Sequence, residues 1–261
     1  WQSTVFDTYS NGSWFHNRAV RATKNDDGLS LNVGTALPGS RQVVEQTVRM
    51  QQTASSLAYG APQPMTFGLP VKVELDCVDA PNDTQCVNNK QEVDVSITRA
   101  LEPIRKGDSY TIASSVSVAS ADALRTASTD YPAWVKNRYL QGTEQVTPRL
   151  RDLTISIIAQ TGANTPYDKA KSIERYLRAN IAYNEKIPMP PAGRDPVDWV
   201  VFDLKEGYCN YYASAMILML RSEGVPARMA AGFSQGEFDA SRNFYIVRER
   251  DAHTWVEVYF P

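Results

Sequence analysis

A chain of 261 residues with 43% hydrophobic and 21% charged residues has material for one large domain or two smaller ones, and is too apolar to stay disordered. Lys and Arg total 27 against 29 Asp and Glu, and neither sign gathers into a long block, which argues against a nucleic-acid or anionic-membrane surface. The longest strongly apolar run, ASAMILML at 213–220, falls well short of the ~20 residues of a spanning helix.

The first half, to about residue 120, reads as strands by its period-two alternation. RQVVEQTVRM (41–50), PVKVELD (70–76), EVDVSIT (92–98) and DSYTIASSVSV (108–118) are separated by Pro, Gly and Ser breakers. In EVDVSIT, Val93, Val95 and Ile97 alternate with Asp94, Ser96 and Thr98; in DSYTIASSVSV the apolar set is Tyr110, Ile112, Val116 and Val118. Each predicts one buried and one wet face, in a small sheet or sandwich. Cys77 and Cys86 bracket DCVDAPNDTQC, whose Pro, Asn and Asp residues predict a turn that brings the two sulfurs together. A disulfide there implies an oxidising, extracytoplasmic compartment. Asp76, Asp79 and Asp83 in that loop lack calcium-loop spacing and read as solvated acids. His16, in SWFHNR, lies among aromatics and reads as structural.

SVASADALRTASTD (117–130) is small and polar and sets an expected boundary, giving a β-rich domain over 1–130 and a second domain over 131–261. Helices follow. TPRLRDLTISIIAQTG has Thr147 as N-cap, Pro148 at the first helical position, Leu150, Leu153 and Ile157 on one face, and a stop at Gly162. TPYDKAKSIERYLRAN repeats the pattern with Thr165, Pro166 and Asp168, and buries Ala170, Ile173 and Leu177. IPMPPAGRDP (187–196) is too rich in Pro to be helical and reads as a surface loop.

In CNYYASAMILMLRSEG the residues Ala213, Met216, Ile217 and Leu220 follow helical spacing and Gly224 ends the helix. Cys209 therefore stands in the first turn of a buried helix. There the unpaired N–H groups and the positive end of the dipole favour a thiolate and can donate to an oxyanion. A single cysteine is otherwise most often a small buried hydrophobe. RMAAGFS (228–234), NFYIVRE (243–249) and HTWVEVYF (253–260) read as consecutive strands. His253, Trp255, Glu257 and Tyr259 share one face of the last, with Thr254, Val256, Val258 and Phe260 on the other. A histidine on a strand packed against the cysteine helix can serve as general base and acid. With two histidines and three cysteines, no metal-ligand cluster is in view, and no cofactor motif occurs.

GYCNYYASAMILMLRSEGVPAR (207–228), AGF (231–233) and DAHTWVEVYFP (251–261) together resemble the bacterial transglutaminase-like superfamily, and in particular its membrane-anchored extracytoplasmic branch, the TgpA-like proteins. YPAWVKNRYL (131–140), DPVDWVVFDLKEGYC (195–209) and the opening WQSTVFDTYSNGSWF are similar to further parts of that family. The resemblance implies an α+β, papain-like core, with a Cys-bearing helix packed on an antiparallel sheet that carries the His, preceded by a smaller β-rich domain. It implies Cys209 as nucleophile and His253 as base, acting on a protein or peptide carboxamide by acyl transfer at the cell envelope. A protease or amidase using the same pair, and a non-catalytic scaffold or binding module, are the alternatives. The family's acidic third member is expected beyond VEVYFP, so the chain reads as a piece of a membrane-anchored parent that carries a dyad. Tyr183 and Trp199 are candidate oxyanion donors from the region before the helix, Tyr208 is expected to line the cleft, and Arg228 is expected to hold backbone carbonyls or a carboxylate.

Overall fold

Strand alternation in one stretch and capped apolar stripes in another fold, in the computed structural model, into two compact units. The structure describes residues 1–16, 20–24, 30–33, 39–52, 54–77 and 92–261, and for 20–24 the backbone only. One unit comprises Trp1–Val5, Arg18–Ala119 and Ala230–His253; the other comprises Phe6–Asn17, Ser120–Met229 and Thr254–Pro261. The boundary expected at residue 130 thus falls at Ala119, and both ends of the chain contribute to each unit. The reason is pairing between distant segments. Strand Gln2–Phe6 joins Val93–Arg105 through Thr4 opposite Ile97, whereas Tyr9 and Trp14, a few residues on, belong to the helical core.

The β-rich unit contains the antiparallel series Gln2–Phe6, Val93–Arg105, Val71–Cys77 and Val20–Lys24, with Ala54–Leu57 also paired to Val93–Arg105. A second sheet orders Arg41–Arg49, Ser109–Ser117 and Pro64–Phe67. Val71, Val73, Leu75, Val93 and Val95 of the first share one apolar cluster with Phe67, Tyr110 and Ile112 of the second, so two sheets enclose a common core. The wet face expected for EVDVSIT is absent: Asp94, Ser96 and Thr98 are only 7%, 7% and 3% exposed. That strand is central, with partners along both edges, and both of its faces are covered. Nor does the alternation of Ser109–Ser117 persist. A register shift against Pro64–Phe67 falls between Ala113 and Ser114, leaving Ser114 fully buried and Val118 50% exposed. Cys77, at the end of its strand, is disulfide-bonded; Cys86, Asp79 and Asp83 lie outside the described residues.

In the helical unit the cap signals give the elements directly. Thr147 Oγ1 accepts from Leu150 N at 3.3 Å to open Pro148–Thr161, and Gly162 closes it in the left-handed conformation at φ 63°. Thr165 accepts from Asp168 N at 3.1 Å to open Pro166–Asn180. Leu150, Ile157, Ala170, Ile173 and Leu177 are buried. The Pro-rich loop ends where Asp195 caps the short helix Pro196–Trp199, which widens into a π turn over Val200–Leu204. The helix Cys209–Ser222 buries Ala213, Ile217 and Leu220 as expected, but also Ala215, Leu218 and Met219, so it is enclosed on nearly every side. Ala227–Phe233 and Ala252–Val258 are hydrogen-bonded neighbours, and the segment between them carries the hairpin Glu237–Asp239 with Phe244–Ile246. No helix among the described residues is long and apolar enough to cross a membrane.

At its far end this helix is pinned by Arg221, 2% exposed, whose guanidinium donates to the carbonyls of Ala227 at 2.8 Å, Gln141 at 2.8 Å and Asp7 at 2.7 Å. Replacing it with methionine fills the space and strands three acceptors. At ~1–3 kcal/mol for each buried group left unpaired, Arg221→Met should lose at least ~3 kcal/mol in urea unfolding, and a loss below ~1 kcal/mol would remove Arg221 from this role.

Candidate active site

The site grows from a short parallel ladder in the helical unit. Ala182 pairs with Glu206 and Tyr183 with Gly207, which delivers the chain to Cys209 two residues later. Gly207 sits in close approach: a Cβ there would lie 3.1 Å from Val200 Cγ1 and 3.2 Å from Tyr211 Cβ, so a larger residue would have to push these side chains back. Tyr208 is the N-cap of the cysteine helix but makes no side-chain capping bond, and its ring packs edge-on against Tyr211 at 5.1 Å. The first-turn N–H groups are therefore left to something other than a cap side chain. Cys209 is the first helical residue, a free thiol and half-buried.

The ladder brings Tyr183 beside this thiol. Burial, and then the neighbouring Cys209 thiol and the Glu185 carboxylate, push the Tyr183 phenol above the ordinary tyrosine range, although the ring is 56% exposed. Tyr183 packs against Tyr212 at 6.2 Å, and Tyr212 donates from its hydroxyl to Ile181 O. Trp199, the other oxyanion candidate, lies in the apolar core. Tyr208 is half-buried at the helix start.

Two residues that sequence reasoning passed over complete the immediate surroundings. Asn210 Oδ1 lies 3.7 Å from Cys209 Sγ and accepts from Thr254 Oγ1 at 2.6 Å. Thr254 thereby ties the last strand to the first turn of the cysteine helix. The available signals were a lone amide opening an apolar helix and a lone hydroxyl on the strand face that continues with Val256 and Val258. Those two valines pack against the helix core. Glu257, of opposite parity, accepts from Arg228 Nε at 2.8 Å, and Arg228 also donates to Tyr139 Oη at 3.0 Å, which gives it the expected carboxylate partner.

His253 is exposed, near the start of this strand, one residue before Thr254 and in parity with Trp255 and Glu257. It is the last residue of its segment of the β-rich unit, whereas Cys209 belongs to the helical unit. His16 stacks on Phe6 with ring centroids 4.6 Å apart, and Asp251 caps a turn by accepting from Arg248 N at 2.7 Å.

A free thiol opening an enclosed helix, next to a sheet and preceded by a β-rich region, defines the α+β class with a transglutaminase-like core. The model of the transglutaminase-like superfamily matches residues 155–261, a span that contains both Cys209 and His253, and over it the chain belongs to that superfamily. The YebA protein of Bacillus subtilis is 34% identical over 186 residues, covering 67% of this chain and 25% of YebA. A protein-glutamine gamma-glutamyltransferase of Pseudomonas aeruginosa is 38% identical over 140 residues, covering 53% of this chain and 20% of that enzyme. The chain thus spans a quarter or less of either relative. The periplasmic domain of TgpA from Pseudomonas aeruginosa has the same fold, with a TM-score of 0.61 at 20% identity, over 100% of this chain and 77% of that one.

Because the Cys209 thiol is among the groups that raise the Tyr183 phenol, Cys209→Ala should move its titration midpoint down towards that of an ordinary tyrosine, leaving the part due to burial. Tyrosinate absorbance differences between each background and its Tyr183→Phe counterpart isolate the one phenol. An unchanged midpoint would mean that the thiol does not reach it.

Proposed function

We propose that this chain performs cysteine-dependent acyl transfer on protein or peptide carboxamides. The observation that carries the reading is the free, half-buried thiol on the first residue of an enclosed helix whose cap makes no side-chain bond. First-turn amides and the helix dipole stabilise a thiolate there and can receive the oxyanion of a tetrahedral intermediate. In this reading the Cys209 thiolate attacks the carboxamide carbon, His253 gives its proton to the departing nitrogen as the C–N bond breaks, and a thioester remains. A primary amine then attacks the thioester, its proton passes to His253, and the thiolate leaves with the C–S bonding pair. With water in place of the amine, the same steps give hydrolysis.

Support comes from the superfamily match, which covers both residues, and from the gamma-glutamyltransferase among the relatives. An extracytoplasmic site is supported by the periplasmic origin of the TgpA domain and by the disulfide-bonded Cys77, since such bonds persist in oxidising compartments. The parent protein's membrane anchor, and an envelope protein as substrate, belong to the same proposal.

The pH dependence of Cys209 alkylation by iodoacetamide, read with and without His253→Ala, tests the pair. The expected inflection lies well below the ~8.5 of a free thiol and moves upward when the imidazole is lost. Incorporation of a fluorescent primary amine into a glutamine-containing peptide should fall at least ~10³-fold in Cys209→Ala. A free-thiol profile that ignores His253, without amine incorporation, would leave a scaffold in place of an enzyme.

A further inference from the structure

The segment after Tyr183 carries one carboxylate on backbone that is pinned next to the ladder leading into Cys209. Asn184 N donates to Gly207 O at 2.9 Å, its side-chain amide donates to Glu206 Oε2 at 2.7 Å, and its side-chain carbonyl accepts from Lys186 N at 2.9 Å. The backbone on both sides of Glu185 is therefore pinned to the ladder that leads into Cys209. From that position Glu185 Oε1 lies 3.5 Å from the Tyr183 hydroxyl, the group that neighbours the thiol. Arg178, the basic residue whose charge reaches Tyr212 nearby, is paired with Glu174 at 3.1 Å.

We propose that Glu185 is the charge selector of this site, favouring cationic groups over neutral or anionic ones in the approach to Cys209. The assignment deepens the acyl-transfer reading: the second substrate would be an amine that arrives as an ammonium, is drawn to Glu185 and gives one proton to solvent water before it attacks, its second proton passing to His253 as above. Glu185 is exposed, so its field is partly screened. At a separation of several ångströms in water-like surroundings, one unit charge is worth about a threefold change in local concentration for each sign, hence up to about tenfold between a cation and an anion. Such a term acts on the KM of the acceptor, not on the attack of Cys209 on the carboxamide.

The test uses methanethiosulfonates of the same size carrying a positive, zero or negative charge. Each reacts with the thiolate to form a mixed disulfide and release methanesulfinate, so no acyl transfer is needed, and Cys209→Ala supplies the background. The cation should react about tenfold faster than the anion at low ionic strength. The ratio should shrink several-fold in Glu185→Gln, invert in Glu185→Lys and collapse with added salt, while the neutral reagent changes less than twofold. A ratio that ignores Glu185→Gln overturns the assignment. Amine incorporation is measured alongside: Glu185→Gln should raise the KM of an alkylamine several-fold, and an unchanged KM likewise overturns the assignment. If the charge ratio follows Glu185 but no Cys209-dependent transfer occurs, the selector stands and the acyl-transfer reading falls.

Discussion

The buried guanidinium of Arg221 is the constraint on which the placement of the cysteine rests. A cation taken out of water costs several kcal/mol, and its burial here pushes the pKa down to about 10 against the opposing pull of Asp7 and Tyr139. That cost is offset by carbonyls from three separate stretches of chain and by the indole of Trp14, 5.4 Å from the guanidinium. The favourable end of the helix dipole adds to this, because Arg221 lies in the last turn. A guanidinium suits the task because its fork of donors reaches acceptors in several directions, which an ammonium on a flexible stem does less well. The C-terminal end of the cysteine helix is thereby fixed relative to the opening segment, the region after Tyr139 and the strand that starts at Ala227.

A helix fixed at one end still needs its other end placed, and three smaller interactions do this. Ser214 Oγ accepts from Trp14 Nε1 at 2.9 Å and donates to Asn210 O at 2.7 Å, within the turn that follows the cysteine. Thr254 reaches Asn210 from the last strand. The ladder of 182–183 with 206–207 sets where the chain enters the helix. Trp14 thus touches both arrangements, one through its ring face and one through its N–H. This explains why a segment so near the start of the chain belongs to the helical unit.

Most of the helical unit was legible because its signals are local. Thr147, Pro148 and Gly162, and again Thr165 and Pro166, set the ends of their helices through bonds spanning three or four residues, which sequence reading captures directly. Cys209 at a helix start was legible for the same reason. Arg221 was not: as the one basic residue in MILMLRSEG it reads as an ordinary last-turn cation, and nothing local marks it as the holder of three carbonyls from distant stretches of chain. The polar face of Val93–Arg105 failed likewise, since alternation records which residues share a face and not whether that face meets water. The exchange of chain segments between the units rests on pairings such as Thr4 with Ile97, far apart in sequence and without local trace.

The last strand shows how an apolar scaffold and a polar rim coexist on one surface. Along a single face, Val258 and Val256 pack into the helix core, and the next position of the same parity, Thr254, meets the polar first turn. The change from apolar to polar follows the helix from its enclosed middle to its open start. Burial there is incomplete: a thiol sunk as deeply as Ile217 or Leu218 would lose the solvation and amide contacts that favour its anion, whereas Cys209, half-buried, keeps them. The rigid contacts therefore lie behind and beside Cys209, in Asn210, Gly207 and the ladder. Tyr183 and Glu185, at and just beyond the ladder, are exposed and polar, so a partner must displace little protein to meet them.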